Sequence, residues 1–219
     1  MGRVLVVAGI LLLVAVVAGV SLFAAGRPES PEPAPAVAPA PPASAPPVAA
    51  VTPLRPRPKR AGRVYKLDEA MKELDLIKPA RQKIADDFLL PMPGAAKFRL
   101  SEHRGKVVMV NFWATWCAPC REEMPAMERL YRQHKDAGFE LVAVSLDADP
   151  RSVTPFIAEH KLSFPIALDP QMTLADKYGV RALPSSFIVD RAGTMTALAI
   201  GPRHWDNDAS HSLIEALAR

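Results

Sequence analysis

A chain of 219 residues, 49% hydrophobic and 23% charged with a pI near 9.2, has room for one domain with a full core beside a non-globular stretch. The basic excess is confined to residues 1–66, which hold eight Lys and Arg against two acids, while residues 67–219 carry 19 against 21. A globular part that is slightly acidic speaks against a nucleic-acid binder, because the positive charge sits away from the folded body.

Val4 to Ala25 is a run of 22 residues without a charge, bracketed by Arg3 and Arg27. That length suits the roughly 20 apolar residues of a spanning helix better than the about 7–15 of a cleaved signal. Residues 1–27 are therefore expected to form a signal anchor with a cytosolic amino terminus, with cleavage near Ala24-Ala25-Gly26 as the alternative. Residues 28–66 follow as a linker; Pro28 to Arg60 alone holds 12 of the chain's 23 prolines, a composition that favours extended polyproline II and builds no core. Its basic end, from Arg55 to Lys66, reads as a solvated linker terminus.

Leu67, Ala70, Met71, Leu74 and Ile77 recur at helical spacing and predict a short helix from about Asp68 to a stop at Pro79, within an extension spanning 67–85. Residues 86–219 make up the remaining domain. Phe88–Leu90 and Phe98–Leu100, around Pro93-Gly94, predict a hairpin added to a sheet edge. Lys106 to Trp113 reads as a buried strand, rich in β-branched and aromatic residues. From about Pro119 a helix follows, with Met124, Met127, Leu130 and Tyr131 on one face and Pro125 expected to kink it. Phe139–Leu146 is a second strand. Asp149-Pro150 opens a helix to about His160, Phe164–Leu168 is a short strand, and Asp169-Pro170 opens a helix ending at Gly179. Ser186–Val189 and Thr196–Ile200 flank the turn Arg191-Ala192-Gly193, and Asp206 or Asn207 caps a last helix to about Ala218. This order predicts an α/β fold, a central mixed sheet with helices on both faces.

Only two cysteines occur, Cys117 and Cys120, two residues apart. A zinc site needs further ligands, and His103, His134, His160, His204 and His211 offer no close-spaced pair, so no metal is expected. Covalent haem attachment would need a histidine where Arg121 stands. A purely structural disulfide would close too short a loop to stabilise much. Thiol–disulfide exchange fits better, and it needs no cofactor. It requires a thiolate, whereas a free cysteine with a pKa of about 8.5 is mostly protonated at neutral pH. The strand-to-helix junction places Cys117 at a helix N-terminus, where unpaired N–H groups favour an anion. Cys120, one turn in, is screened and suited to resolve a mixed disulfide, and Pro119 sits near the first helical position. Two rivals remain: a thiol peroxidase, which wants a lone cysteine and an arginine donor, and a chaperone carrying Cu(I) on the two thiolates. The narrow cysteine spacing favours redox work over either.

Asn111-Phe112-Trp113-Ala114-Thr115-Trp116-Cys117-Ala118-Pro119-Cys120, followed by Glu123-Met124-Pro125, resembles the TlpA/ResA branch of the thioredoxin superfamily. Tyr178 to Asp190 resembles the superfamily's loop that enters a strand through a cis-proline, here Pro184. Gly201-Pro202-Arg203-His204-Trp205 resembles a segment before the last helix on the TlpA side of that branch. The resemblance runs from about Asp86 to Ala218 and implies a thioredoxin-like fold with an N-terminal hairpin and a βα-type insertion over Pro150–Leu168. It implies a thiol–disulfide oxidoreductase in which Cys117 is the nucleophile and Cys120 the resolving cysteine. Trp116, Pro119 and cis-Pro184 belong to that catalytic set, and the Leu183 backbone binds an extended substrate chain. A periplasmic domain tethered to the inner membrane is further implied, with a membrane electron donor and protein disulfide substrates. Those substrates would be copper-handling or cytochrome-maturation proteins, in cytochrome oxidase or cytochrome c assembly.

The sequence also departs from that pattern. Asn111 stands where thioredoxins proper carry an acid, and Pro91 stands where some members of the branch place a glutamate after a Phe-x-Leu strand. The expectation is therefore a site without a buried acid, with Glu123 in a salt bridge on the helix surface and the proton acceptor unassigned. Ser185 follows Pro184 where cytochrome c maturation members usually carry glutamate, which favours the oxidase-assembly side.

Overall fold

A computed structural model describes residues 62–219. The expected anchor over 1–27 and nearly all of the linker over 28–66 lie outside the described residues. Among the described residues no helix is long and apolar enough to cross a membrane.

The first described element is α1 (Leu67–Glu73), whose first turn is closed by the Lys66 N–H donating to Glu69 Oε2 at 3.2 Å. The helix ends before the expected stop at Pro79. Asp75 adopts a left-handed φ of 49°, the Leu76 N–H turns back to Met71 O at 2.9 Å, and Ile77 leaves the helical face to bridge Leu198. Strands β1 (Lys83–Ile84), β2 (Leu89–Pro91), β3 (Lys97–Arg99) and β4 (Val107–Trp113) precede the long helix α2 (Ala118–His134). Next come β5 (Phe139–Ser145), α3 (Val153–His160), β6 (Ile166–Leu168), α4 (Thr173–Tyr178), β7 (Ser185–Val189), β8 (Thr194–Ile200) and α5 (Asp208–Leu217).

Six strands form one sheet in the order β1-β8-β7-β4-β5-β6, with β4, β5 and β6 parallel and the other pairings antiparallel. Every residue of β4 and β5 is buried, as a central strand covered on both faces requires. The two-residue period sends Val107, Met109 and Trp113 into a core completed by α1, α2, α3 and α5. Val108, Val110 and Phe112 enter the opposite core, completed by α4 and the β2–β3 hairpin. That hairpin forms its own two-stranded sheet and does not extend the main one. Its aromatic residues explain the difference: Phe88 stacks on Phe98 at 5.9 Å and meets Tyr178 edge-on at 6.1 Å, so the hairpin covers a sheet face. β1, paired to β8, takes the edge instead.

The two Asp-Pro starts behave differently. Asp149 accepts from the Arg151 N–H at 3.0 Å and begins a 3-10 turn, Pro150–Ser152, that leads into α3. After Asp169-Pro170 the chain first makes a turn, the Met172 N–H donating to Asp169 O at 2.9 Å, and α4 begins only at Thr173. Asp169 caps that helix from outside, its Oδ2 accepting from Leu174 and Ala175 N–H at 2.9 Å each. Replacing Asp169 with alanine removes both bonds and is expected to cost about 1–2 kcal/mol, read as a lower urea midpoint with an unchanged slope.

Candidate active site

β4 carries the chain up to Trp113, where it leaves the sheet and enters α2 through Ala114-Thr115-Trp116-Cys117. Asp147, just beyond β5, fixes this turn. Its carboxylate accepts from the Thr115 N–H at 3.0 and 3.2 Å, from the Thr115 hydroxyl at 2.6 Å and from the Ser145 hydroxyl at 2.7 Å. Nothing in the sequence marked Asp147 as more than a strand end, since its partner is 32 residues away.

Cys117 is the N-cap of α2 and is bonded to Cys120 as a disulfide. Its Sγ accepts from the Cys120 N–H at 3.3 Å, one of the helix's otherwise unpaired donors. Reduced, the same sulfur is placed where the helix terminus favours a thiolate. Cys117 is 5% exposed and Cys120 is fully enclosed, whereas Trp116 between loop and helix is 70% exposed. Pro119 lies in the first turn, and α2 continues unbroken through Pro125.

The Leu183–Pro184 peptide is cis, and Leu183 faces the cysteines across a groove of about 590 Å³. Trp116, Cys117 and Pro119 form one wall; Met172, Val180 and Leu183 form the other. Asp176 and Arg181 place one charge of each sign at this groove. The structure therefore brings Trp116, Cys117, Pro119 and Leu183 around one opening, with Cys120 bonded beneath and Pro184 at the base of the opposite loop.

A buried acid lies under the disulfide, contrary to the expectation drawn from Asn111 and Pro91. Glu123 is one turn beyond Cys120 on α2 and only 3% exposed, not in a surface salt bridge. Asn111 Nδ2 donates to Glu123 Oε1 at 2.9 Å. The Arg203 N–H and the Trp205 indole N–H both donate to Oε2 at 3.1 Å. Asn111 Nδ2 also donates to Ser186 Oγ at 2.9 Å, and its Oδ1 has no hydrogen-bond partner among the described residues. Burial is the largest influence on Glu123 and pushes its pKa from 4.5 to about 7, against the pull of these three donors and the Arg203 charge. Helical spacing alone leaves Glu123 on a surface face, because two of the donors that draw it inward come from a segment 80 and 82 residues later. Gly201-Pro202-Arg203-His204-Trp205 is thus a structural part of the site: Trp205 is fully buried and Gly201, at φ 86°, donates to Pro184 O at 2.8 Å.

The histidines show a further contact that spacing did not reveal. His134 Nε2 and His211 Nδ1 lie 2.8 Å apart in a buried pair at the far end of α2 from the cysteines. Among the described residues, no group of three or more His, Cys, Asp or Glu is arranged to hold a metal ion.

Residues 82–198 match the family model described as AhpC/TSA family. The chain belongs to that family. Several proteins named ResA thiol-disulfide oxidoreductase are similar to this chain. That of Bacillus anthracis is 38% identical over 119 residues, covering 54% of this chain and 69% of that protein. That of Geobacillus kaustophilus is 40% identical over 117 residues, covering 53% and 67%. Among solved structures, a Chlorobium tepidum protein described as a DsbE thiol:disulfide interchange protein is 36% identical with a TM-score of 0.60, covering 66% of this chain and 99% of that one. The chain is a thiol–disulfide oxidoreductase with a thioredoxin-like fold, of the TlpA/ResA-like branch.

The raised Glu123 pKa makes a prediction about stability. A carboxyl that holds its proton more tightly folded than unfolded contributes stability in full below about pH 4.5, and that contribution is lost as pH rises through about 7. Wild type should lose on the order of 3 kcal/mol relative to Glu123→Gln between those limits. Urea unfolding of the two oxidised proteins across that pH range checks it. Parallel profiles would show that Glu123 does not titrate near neutrality.

Proposed function

We propose that this protein reduces disulfides of extracytoplasmic proteins, with Cys117 as nucleophile, Cys120 as resolving thiol and Glu123 as the proton acceptor for Cys120. The observation that carries this reading is the asymmetry of the pair: Cys117 borders the groove at the α2 N-terminus, while Cys120 is sealed inside above an acid with a pKa of about 7. A substrate disulfide entering the groove is attacked by the Cys117 thiolate. A mixed disulfide forms and one substrate thiolate leaves. Cys120 then gives its proton to the Glu123 carboxylate and attacks Cys117 Sγ, releasing the second substrate thiolate and closing the Cys117–Cys120 bond. Two electrons from a membrane donor reopen that bond for the next cycle.

The groove supports a protein substrate. Its apolar walls of Trp116, Met172, Val180 and Leu183 suit an extended segment with an apolar side chain near its cysteine, and Leu183 lies where its backbone can pair with that segment. The apolar run over residues 4–25 supports tethering to the inner membrane, with the domain in the periplasm and the Pro/Ala linker as spacer. Resemblance to the TlpA side of the branch supports copper-handling metalloproteins of cytochrome oxidase assembly as substrates, with cytochrome c maturation proteins as the alternative.

Equilibrating the protein against defined glutathione ratios should give a potential nearer about −270 mV than about −120 mV; a value at the oxidising end would make it an oxidant. Cys117→Ser should abolish exchange, and Cys120→Ser should accumulate mixed disulfides in cells, naming the substrates directly. Stoichiometric Cu(I) retained through gel filtration and lost in Cys117→Ser would instead favour metal carriage by the pair.

A further inference from the structure

Two of the three donors on Glu123 come from a single segment, Arg203 to Trp205, between β8 and α5. Gly201 anchors that segment to Pro184 O, and the Arg203 side chain ties it to the end of α1. Its Nε donates to Leu74 O at 2.7 Å, and its Nη2 donates to Asp75 O at 3.0 Å and Asp75 Oδ2 at 3.2 Å. Its Nη1 donates to the carbonyls of Ile200, Gly201 and Pro202 at 3.2, 3.3 and 2.9 Å. One guanidinium therefore ties the end of α1 to the turn that leaves β8. The backbone N–H of the same residue reaches the acid beneath the disulfide.

We propose that Arg203 is a positioning residue for Glu123, holding the 201–205 turn against the end of α1 so that the Arg203 and Trp205 N–H groups meet the carboxylate. Three features support this role. The carbonyls of Leu74 and Asp75 project from the α1 terminus because Asp75 turns into the left-handed region, leaving both free to accept the guanidinium fork. Guanidinium is planar and carries five donors, so one group can span six acceptors across two chain segments, which an ammonium cannot. Its positive charge also favours the ionised form of Glu123, adding to the two N–H bonds. α1 is thereby linked to the protonation of the active-site acid, although it contributes no residue to the groove.

Charged groups on the surrounding elements do not duplicate this role. On α2, Arg121 and Glu122 are exposed. Asp206 is paired with Arg129 at 2.7 Å, His204 is exposed, and Asp75 is paired with Arg203 itself. Asn111, Ser186 and Trp205 are neutral.

The inference uses Glu123 as the site's proton acceptor, and its test reads the Glu123 carboxyl directly, so it fails or succeeds independently of turnover. In the oxidised full-length protein, the carboxyl carbon of Glu123 is titrated by NMR, identified by its loss in Glu123→Gln. Arg203→Gln removes the charge and the fork while keeping a polar side chain. It should raise the midpoint by about one pH unit. Arg203→Lys restores the charge without the fork and should return the midpoint part of the way, with a lower thermal midpoint than wild type. A titration unmoved in Arg203→Gln, with only the thermal midpoint reduced, would overturn the proposal and leave Arg203 as a staple of the fold. If Arg203→Gln does not fold, an Arg203→Lys titration identical to wild type would overturn the fork's part in it. Loss of exchange activity in Glu123→Gln, or its absence, bears on the acceptor role and not on Arg203.

Discussion

Burying a carboxylate costs free energy unless donors surround it, and the arrangement beneath this disulfide meets that demand from distant parts of the chain. Asn111 comes from the central strand, and the Arg203 and Trp205 N–H groups come from the turn ahead of the last helix. Three donors are enough to keep Glu123 in place and too few to make it a strong acid; burial prevails and the group titrates near neutrality. A carboxyl with that property lies about 1.5 units below the ordinary cysteine value of about 8.5.

The rest of the site is arranged around the same helix. α2 sets Cys117 at its first unpaired N–H groups, Cys120 a turn deeper and Glu123 a further turn in, so one element orders the two sulfurs and the acid by helical spacing alone. Asp147 keeps the entrance to that helix fixed against β5, and Gly201 joins the turn of Arg203 and Trp205 to the carbonyl of Pro184. The loop opposite the cysteines and the segment under them are thus parts of one hydrogen-bonded frame. On the outer side of this frame Trp116 and Met172 stay exposed beside an otherwise closed pair of sulfurs, at the mouth of the groove.

Much of the fold was legible because its signals are local. The apolar runs of β4 and β5, the Met124–Leu130 face, the Gly179 terminus and the Asn207 cap each depend on neighbours a few residues away, and each lies close to its expected place. The displaced elements each answer to a specific contact. α1 stops early because Ile77 pairs with Leu198, the β2–β3 hairpin covers a face because Phe88 finds Tyr178, and α4 starts late because the Asp169 carboxylate reaches past a turn to Leu174 and Ala175. In the first two cases a contact from far along the chain outweighed local propensity, and in the third a side-chain bond five and six residues ahead did.

By itself the sequence determined the chemistry: two cysteines at CxxC spacing, at a strand-to-helix junction, in a chain whose remaining composition provides one mixed-sheet domain. It determined the opposing loop at Pro184 by resemblance as well. Only the tertiary structure decided that Glu123 is a buried acid, because helical periodicity places a side chain on a face without saying what covers it. That cover comes from the turn of Arg203 and Trp205, 80 residues on, and its donors make an internal position tolerable for a carboxyl.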